Sequence, residues 1–345
     1  MDAEPRTVSG SGTRVLRWVV AVIAVFAVAC ATEPAGSPAT PGPATGPAEP
    51  SGTIRLYTSV TEDTVAAVVD AWRSTHGDAE IEVLRAPTGE LAGRIAAEQR
   101  QGGIRADVLW LTDPLSMQQY ASQGLLRSWT PGELGAVPER FRQETFFGTR
   151  ILNMVLVHQP DLDLAPAAWR DLAERDLPQP VAIPDPGFAG SAFGALGYFA
   201  LAEDFGFDFY RALKERGAVQ VQAPGDVVTG VAEGRYSAGM SLDKTAFTAV
   251  EKGSPVEVVF PEPGAIAMYS PIAVVAATTN AAAAESFANF TLTRDAQQAI
   301  AGTGWQPVRD DVAWDRGGPT VTPDWQEAFD RQDQLLEQYR TIFGG

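Results

Sequence analysis

The chain has 345 residues, 45% of them hydrophobic, which is enough to fill one large or two medium globular domains. Its 26 Lys and Arg stand against 43 Asp and Glu, a formal charge of −17 that argues against nucleic acid and anionic lipid as partners. The two histidines, His76 and His158, have no second histidine or cysteine near them in sequence, so spacing points to neither a zinc site nor a histidine-based triad.

Arg14 and Arg17 precede an apolar run from Trp18 to Cys30, too short to span a bilayer comfortably and suited to a signal peptide over residues 1–29. It ends in Ala27-Val28-Ala29-Cys30, and Cys30 is the only cysteine in the chain. That ending resembles the lipobox of bacterial lipoproteins, with Ala27 where leucine is usual, and implies lipidation of Cys30 as the mature N-terminus. Residues 30–52 then hold six prolines among Ala, Gly, Thr and Ser and are expected to be an extended tether, reaching at most about 3.1 Å per residue.

The folded part is expected from Thr53. Ile54 to Tyr57 reads as a strand, Thr58 to Thr61 as its loop, and Glu62 to Trp72 as a helix with Val65, Val68, Val69 and Trp72 on one face. A second strand, Ile81 to Leu84, leads through the Ala86-Pro87-Thr88-Gly89-Glu90 loop into a helix from Leu91 to Gln99. A third, Asp107 to Leu111, ends at Thr112-Asp113-Pro114. This alternation predicts an α/β fold whose ligand crevice lies at the strand C-termini, where all three loops are rich in Thr and Ser.

Further on, Ile151 to Val157 reads as a strand and Pro166 to Leu172 as a helix. Val181 to Ile183 reads as a strand, Pro184 to Gly187 as a turn, and Ala192 onward as a helix. Ala189-Gly190-Ser191 thus sits at a helix N-terminus, where unpaired N–H groups and the positive dipole end make an anion cradle; equally, Ser191 could serve only as an N-cap. Helices at Phe207 to Glu215 and Asp226 to Glu233 alternate with strands at Val219 to Gln222 and Tyr236 to Leu242. Apolar segments at Val256 to Phe260 and Ile266 to Ala276 come next, and the amphipathic stretch Trp325 to Phe343 closes the chain with Phe329, Leu336 and Tyr339 on one side. Crossings near Leu152 and Val258 are expected to separate two lobes: 53–152 with 261–318, and 153–260, followed by a C-terminal helix over 319–345.

The segments TIRLYTSVTE, VLRAPTGELAGRIAAE, ADVLW, WRDL, AIPDP, VAEGRYSAGM, GSPVEVVFPEPG and GWQPVRDDV resemble, in the same order, the extracellular solute receptors of bacterial ABC transporters of the ferric-ion and phosphonate type. The resemblance covers essentially Thr53 to Phe343. It implies a two-lobed periplasmic-binding-protein fold of type 2, with mixed sheets flanked by helices and a ligand cleft between the lobes. It also implies a monomeric receptor, lipid-anchored outside the cytoplasm, that delivers a small molecule or ion to permease subunits in the membrane, without cofactor and without nucleic acid.

Ferric receptors of this kind present paired tyrosines where this chain has Ser241-Leu242-Asp243-Lys244-Thr245, and their secondary ligands are matched by Thr61 and Thr112. Tyr269, Asp243 and Asp113 are the donors that an unusual ferric site would draw on. With the iron ligands departed and the cradle kept, the expected solute is a small organophosphonate, organophosphate or carboxylate. The expected contacts are Thr58, Ser59, Thr88, Gly89 and Thr112 from the first lobe, and Ala189, Gly190, Ser191 and Ala192 from the cradle. Tyr269 is added, with Asp243 either pairing with a ligand amine or capping a helix. The alternatives are a ferric receptor and a lipid-anchored hydrolase; against the second, Ser191 lacks a G-x-S-x-G elbow and no histidine follows it.

Overall fold

A computed structural model describes residues 52–76 and 80–344; the expected signal peptide, Cys30 and nearly all of the tether lie outside the described residues. Alternation begins at once. β1 (Thr53–Thr58), α1 (Glu62–His76), β2 (Glu80–Arg85), α2 (Thr88–Arg100) and β3 (Val108–Trp110) make parallel crossovers, with β1 paired to both β2 and β3. Val65, Val68, Val69 and Trp72 recur at three- and four-residue spacing and bury one stripe of α1, while Glu62 and Asp63 complement its positive end. α3 (Pro114–Ser122) follows, with proline at its start and Asp113 accepting the Ser116 N–H at 2.8 Å as cap. Its buried Leu115, Met117 and Tyr120 keep no clean helical period, which is why apolar spacing alone misses it.

β4 (Phe146–His158) is buried at every residue. Beyond it run α4 (Asp171–Glu174), β5 (Val181–Pro184), α5 (Gly190–Leu201), α6 (Gly206–Glu215), β6 (Val219–Val221), α7 (Pro224–Ala232), β7 (Ala238–Leu242), α8 (Asp243–Glu251) and β8 (Glu257–Val259). The helix expected over Pro166 to Leu172 is only the short α4. The backbone of Ala167 and Trp169 instead exchanges hydrogen bonds with Glu262, and the Trp169 indole donates to the Gly264 carbonyl at 2.9 Å. The chain ends with β9 (Ala265–Val274), α9 (Ala281–Phe290), α10 (Arg294–Gly302), β10 (Gln306–Pro307), β11 (Thr320–Val321) and α11 (Trp325–Phe343).

Strand order is β2-β1-β3-β9-β4-β7-β5-β6. β3 joins the C-terminal end of β9, β7 joins the C-terminal half of β4, and β4 pairs with β9 in antiparallel fashion from Phe146 to Met154. Two lobes therefore share one ladder. The second crossing strand is β9 rather than the segment near Val258, because β8 pairs with Leu156 to His158 at the far end of β4 and stays with the second lobe. α11 packs on α3, α5 and α6, with Phe329 and Tyr339 buried as expected and Leu335, rather than Leu336, as the fully buried leucine. Among the described residues no helix is long and apolar enough to cross a membrane.

Close packing in the second lobe gives a stability test. A Cβ at Gly239 of β7 would press on the Ala182 carbonyl and the Val227 side chain, whereas one at Gly93, on the exposed face of α2, would meet nothing within 4 Å. Gly239→Ala is expected to cost about 1–3 kcal/mol through overpacking, and Gly93→Ala to add about 0.5–1 kcal/mol through helix propensity. Paired thermal melts check both signs.

Candidate functional site

A cavity of about 350 Å³ lies where the loops of the two lobes meet. Ser59, Thr61, Arg85, Pro87, Thr88 and Thr112 line it from the β1, β2 and β3 loops; Ala189, Gly190 and Ser191 line it at the start of α5, and Ala223, Pro224 and Gly225 at the start of α7. Leu242 and Thr245 enter from the start of α8, Arg150 and Leu152 from β4, and Trp305 from the segment before β10. Five helix N-termini thus converge on one space, where unpaired N–H groups and positive dipole ends favour negative charge. A larger cavity of about 510 Å³ near Arg55, Arg94 and Asp107 is a weaker candidate. Its charges are already engaged, Arg94 with Glu98 at 2.9 Å and Asp107 with the Arg55 N–H at 2.8 Å.

Three of the expected hydroxyls form one cluster. Thr88 Oγ1 donates to Ser59 Oγ at 3.0 Å, Ser59 Oγ lies 3.3 Å from Thr112 Oγ1, and Ser59 Oγ also accepts the Thr112 N–H at 3.1 Å. Thr58 stands behind them, fully buried, donating to the Trp110 carbonyl at 2.7 Å. Gly89 is not in the lining either; its N–H donates across the cleft to the Phe188 carbonyl at 3.2 Å, and a Cβ there would press on the Gly187 carbonyl.

Gly190 faces the hydroxyl cluster so closely that a Cβ would sit 2.7 Å from both Thr88 Oγ1 and Thr112 Oγ1. Only glycine lets the lobes meet there. Ser191 is inside α5, whose cap position is Ala189, so it is not the N-cap; Ala192 is buried one residue further along, outside the lining.

Asp243 and Tyr269 lie elsewhere. Successive strand residues point to opposite faces, so Arg150 and Leu152 of β4 face this cavity while Ile151 and Asn153 face a second one, of about 200 Å³, that Tyr269 lines. Asp243 begins α8 without capping it and accepts from Asn153 Nδ2 at 2.8 Å; burial raises its carboxyl above the ordinary value.

Arg150 went unrecognised in the sequence, although a lone arginine inside the apolar run from Phe146 to Val157 was the available signal. The β4–β9 register shifts between Gly148 and Arg150, the kind of irregularity that re-aims a side chain. Thr149 at that shift is pinned by the Trp110 indole at 2.8 Å, by the Ser270 carbonyl at 2.8 Å and by Gln297 Nε2 at 2.6 Å. Arg150 then lies over the Trp305 ring, its guanidinium carbon 4.3 Å from the centroid.

All three guanidinium nitrogens are buried without a hydrogen-bond partner among the described residues, and burial pushes the group down to about 9, still cationic at neutral pH. Among the described residues the cavity lining contains no carboxylate, phenol or imidazole. A buried cation without hydrogen-bond partners is costly, even with Asp63 and Asp243 favouring its charge and Trp305 stacked against it. Arg150→Met is therefore expected to hold or raise the ligand-free melting temperature; a fall equivalent to more than about 2 kcal/mol, beyond the stacking energy on Trp305, would show that the guanidinium is structurally satisfied.

The family model for bacterial extracellular solute-binding proteins matches residues 54–306. An uncharacterised protein of Haemophilus influenzae is 22% identical over 271 residues, spanning 73% of this chain and 76% of that protein. Among solved structures, the periplasmic binding protein AfuA of Actinobacillus pleuropneumoniae, with exogenous fructose-6-phosphate bound, is similar at a TM-score of 0.74 with 18% identity, covering 86% of this chain and 100% of AfuA. Iron-bound HitA of Pseudomonas aeruginosa is similar at 0.71 with 20% identity, covering 84% of this chain and 99% of HitA. Two lobes on a shared antiparallel ladder, a cleft between them and a family match over most of the folded chain lead to one assignment: the chain belongs to the bacterial extracellular solute-binding proteins.

Proposed function

We propose that this chain is the receptor of an ABC importer and captures a small organic anion, a phosphonate, phosphate ester or carboxylate, between lobes formed by 53–152 with 261–318 and by 153–260. The observation that carries the reading is Arg150, a buried cation without a partner among the described residues, bordering a cavity into which five helix N-termini point. The cluster of Ser59, Thr88 and Thr112 supplies hydroxyl donors, and Gly190 and Ser191 supply backbone donors. Trp305, Phe188 and Leu152 add apolar surface for an organic body. Cys30 is proposed to carry the lipid that holds the receptor at the membrane; of the C-terminal stretch expected as a helix from residue 319, Thr320–Val321 is instead β11, pairing with β9, and the helix is α11, Trp325–Phe343. The function needs binding and release, so no catalytic role is assigned.

A ferric reading is favoured by the likeness to iron-bound HitA. It would require hard anionic oxygen donors, and the cavity lining offers hydroxyls and two guanidinium groups instead.

A thermal-shift screen across phosphonates, phosphate esters, carboxylates and ferric citrate separates the two. An anion at a hundredfold excess over Kd is expected to stabilise by about 2.7 kcal/mol. Arg150→Met should abolish that gain, and Ser191→Ala should cost about 0.5–1.5 kcal/mol of binding. Stabilisation by ferric ion alone, with visible tyrosinate-to-iron colour lost in Tyr269→Phe, would replace this reading with the ferric one. For the anchor, Cys30→Ala is expected to release the protein from membranes with unchanged solute affinity, checked by fractionation and mass spectrometry of the mature N-terminus.

A further inference from the structure

Two guanidinium groups border the cavity, and they differ in depth. Arg150 of β4 is fully buried, whereas Arg85, the last residue of β2, is exposed at the rim. The β1–β2 register pairs Arg85 with Thr58, which sets it beside the loop that carries Ser59 and Thr61. Arg85 Nε donates to the Val60 carbonyl at 2.8 Å, so the side chain is tied along that loop. The next residue links rim to floor: Thr61 Oγ1 accepts the Trp305 indole N–H at 3.4 Å, and the Trp305 ring carries the Arg150 guanidinium.

Arg85 differs from the cations around it in having no acid. Arg55 pairs with Glu82 at 3.7 Å and Arg94 with Glu98 at 2.9 Å, while Lys244, beside Trp305, is held by Asp63 at 2.6 Å. Arg85 makes no ion pair among the described residues, and the lining it shares with Arg150 contains no carboxylate. With Nε committed to Val60, the two terminal nitrogens keep the parallel N–H pair that suits a carboxylate or phosphonate. Because the tie to Val60 already restrains the long side chain, less freedom is lost when an anion meets it. The lining also holds the Ser59, Thr88 and Thr112 hydroxyls and the apolar surface of Leu152 and Phe188, a suitable bed for a short polar chain. A head seated on Arg150 leaves the rim guanidinium to water unless the solute has a second acid group.

Resting on the anionic reading, we propose that the solute carries an anionic group at each end, as a short dicarboxylate or phosphonocarboxylate does, with the inner group on Arg150 and the outer group on Arg85. The inner contact is buried and supplies most of the affinity. The outer contact is exposed and screened, so its contribution is modest, about fivefold in Kd. Arg85 therefore sets specificity, separating two-headed solutes from one-headed ones of the same length.

The test is calorimetry at neutral pH, where both carboxyls are ionised, on two matched pairs: pentanoate with glutarate, and propylphosphonate with 3-phosphonopropionate. In the wild type the two-headed member of at least one pair is expected to bind about fivefold tighter at about 0.05 M salt, and that preference should shrink toward none at about 0.5 M. Which pair shows it tells a carboxylate inner head from a phosphonate one. In Arg85→Gln the preference should vanish. Equal binding of both members of both pairs by the wild type overturns the two-headed assignment and leaves the anionic reading intact, as does a preference that survives in Arg85→Gln. Absence of binding by all four removes the anionic reading and this inference with it. Should Arg85→Gln fail to fold, the wild-type salt series decides: a preference unchanged at high salt overturns the assignment to an exposed guanidinium.

Discussion

Everything in this molecule is referred to the antiparallel ladder of β4 and β9. Both strands are buried along their whole length, so each residue has one face for the cleft and one for the back of the molecule. Because the first lobe joins the ladder through β9 and the second through β4, the same pair of strands connects the lobes, and β4 supplies Arg150 and Leu152 to the cavity floor. A register error of one residue would exchange Arg150 for Ile151 at that floor, turning a cationic wall into an apolar one. The polar ties on Thr149 guard against this, since Trp110, Ser270 and Gln297 together fix where the register shifts.

The contacts between the lobes hold an imbalance. Gly89 bonds to Phe188, Gly190 packs on the hydroxyl cluster, and Lys244 Nζ meets Asp63 Oδ2 at 2.6 Å, all favouring contact between the lobes. Against them stand a guanidinium and a carboxyl oxygen buried without partners among the described residues. Half-exposed Asp63 adds little through its ion pair, while each orphaned polar group costs the desolvation of its site. On the proposed reading, an anion on Arg150 would relieve one side of that imbalance.

Much of the fold could be read from residues. The parallel crossovers of the first lobe follow from valine and tryptophan spacing, and the cradle loop from glycine and serine before an apolar helix; the structure brings Ser59, Thr88, Thr112, Ala189, Gly190 and Ser191 to one cavity. Some features could not be read. Strand-face parity separates Tyr269 from the cleft, and that depends on a register shift which no local pattern announces. Trp305 and Arg150 are far apart in sequence and meet only through β10 pairing with β4, so their stacking is a tertiary fact. Val258 misled because an apolar strand looks the same whether it crosses between lobes or pairs within one.

The chain's overall charge of −17 and its proposed anionic cargo are compatible because the two effects act over different distances. Surface carboxylates repel an approaching anion only within the screening length, about 8 Å at physiological ionic strength. Inside the cleft the donors are fixed in a partly enclosed space, so a charge pair interacts more strongly than at the surface. On the proposed reading, net charge slows encounter, while Arg150 and the helix termini would set retention. An acidic receptor of this design discriminates by what can enter and be held, and its general field does nothing to concentrate anions nonspecifically. Selectivity must then reside in the few groups that line the cavity, which is why a single buried arginine on the shared ladder counts for more than the excess of 17 negative charges around it.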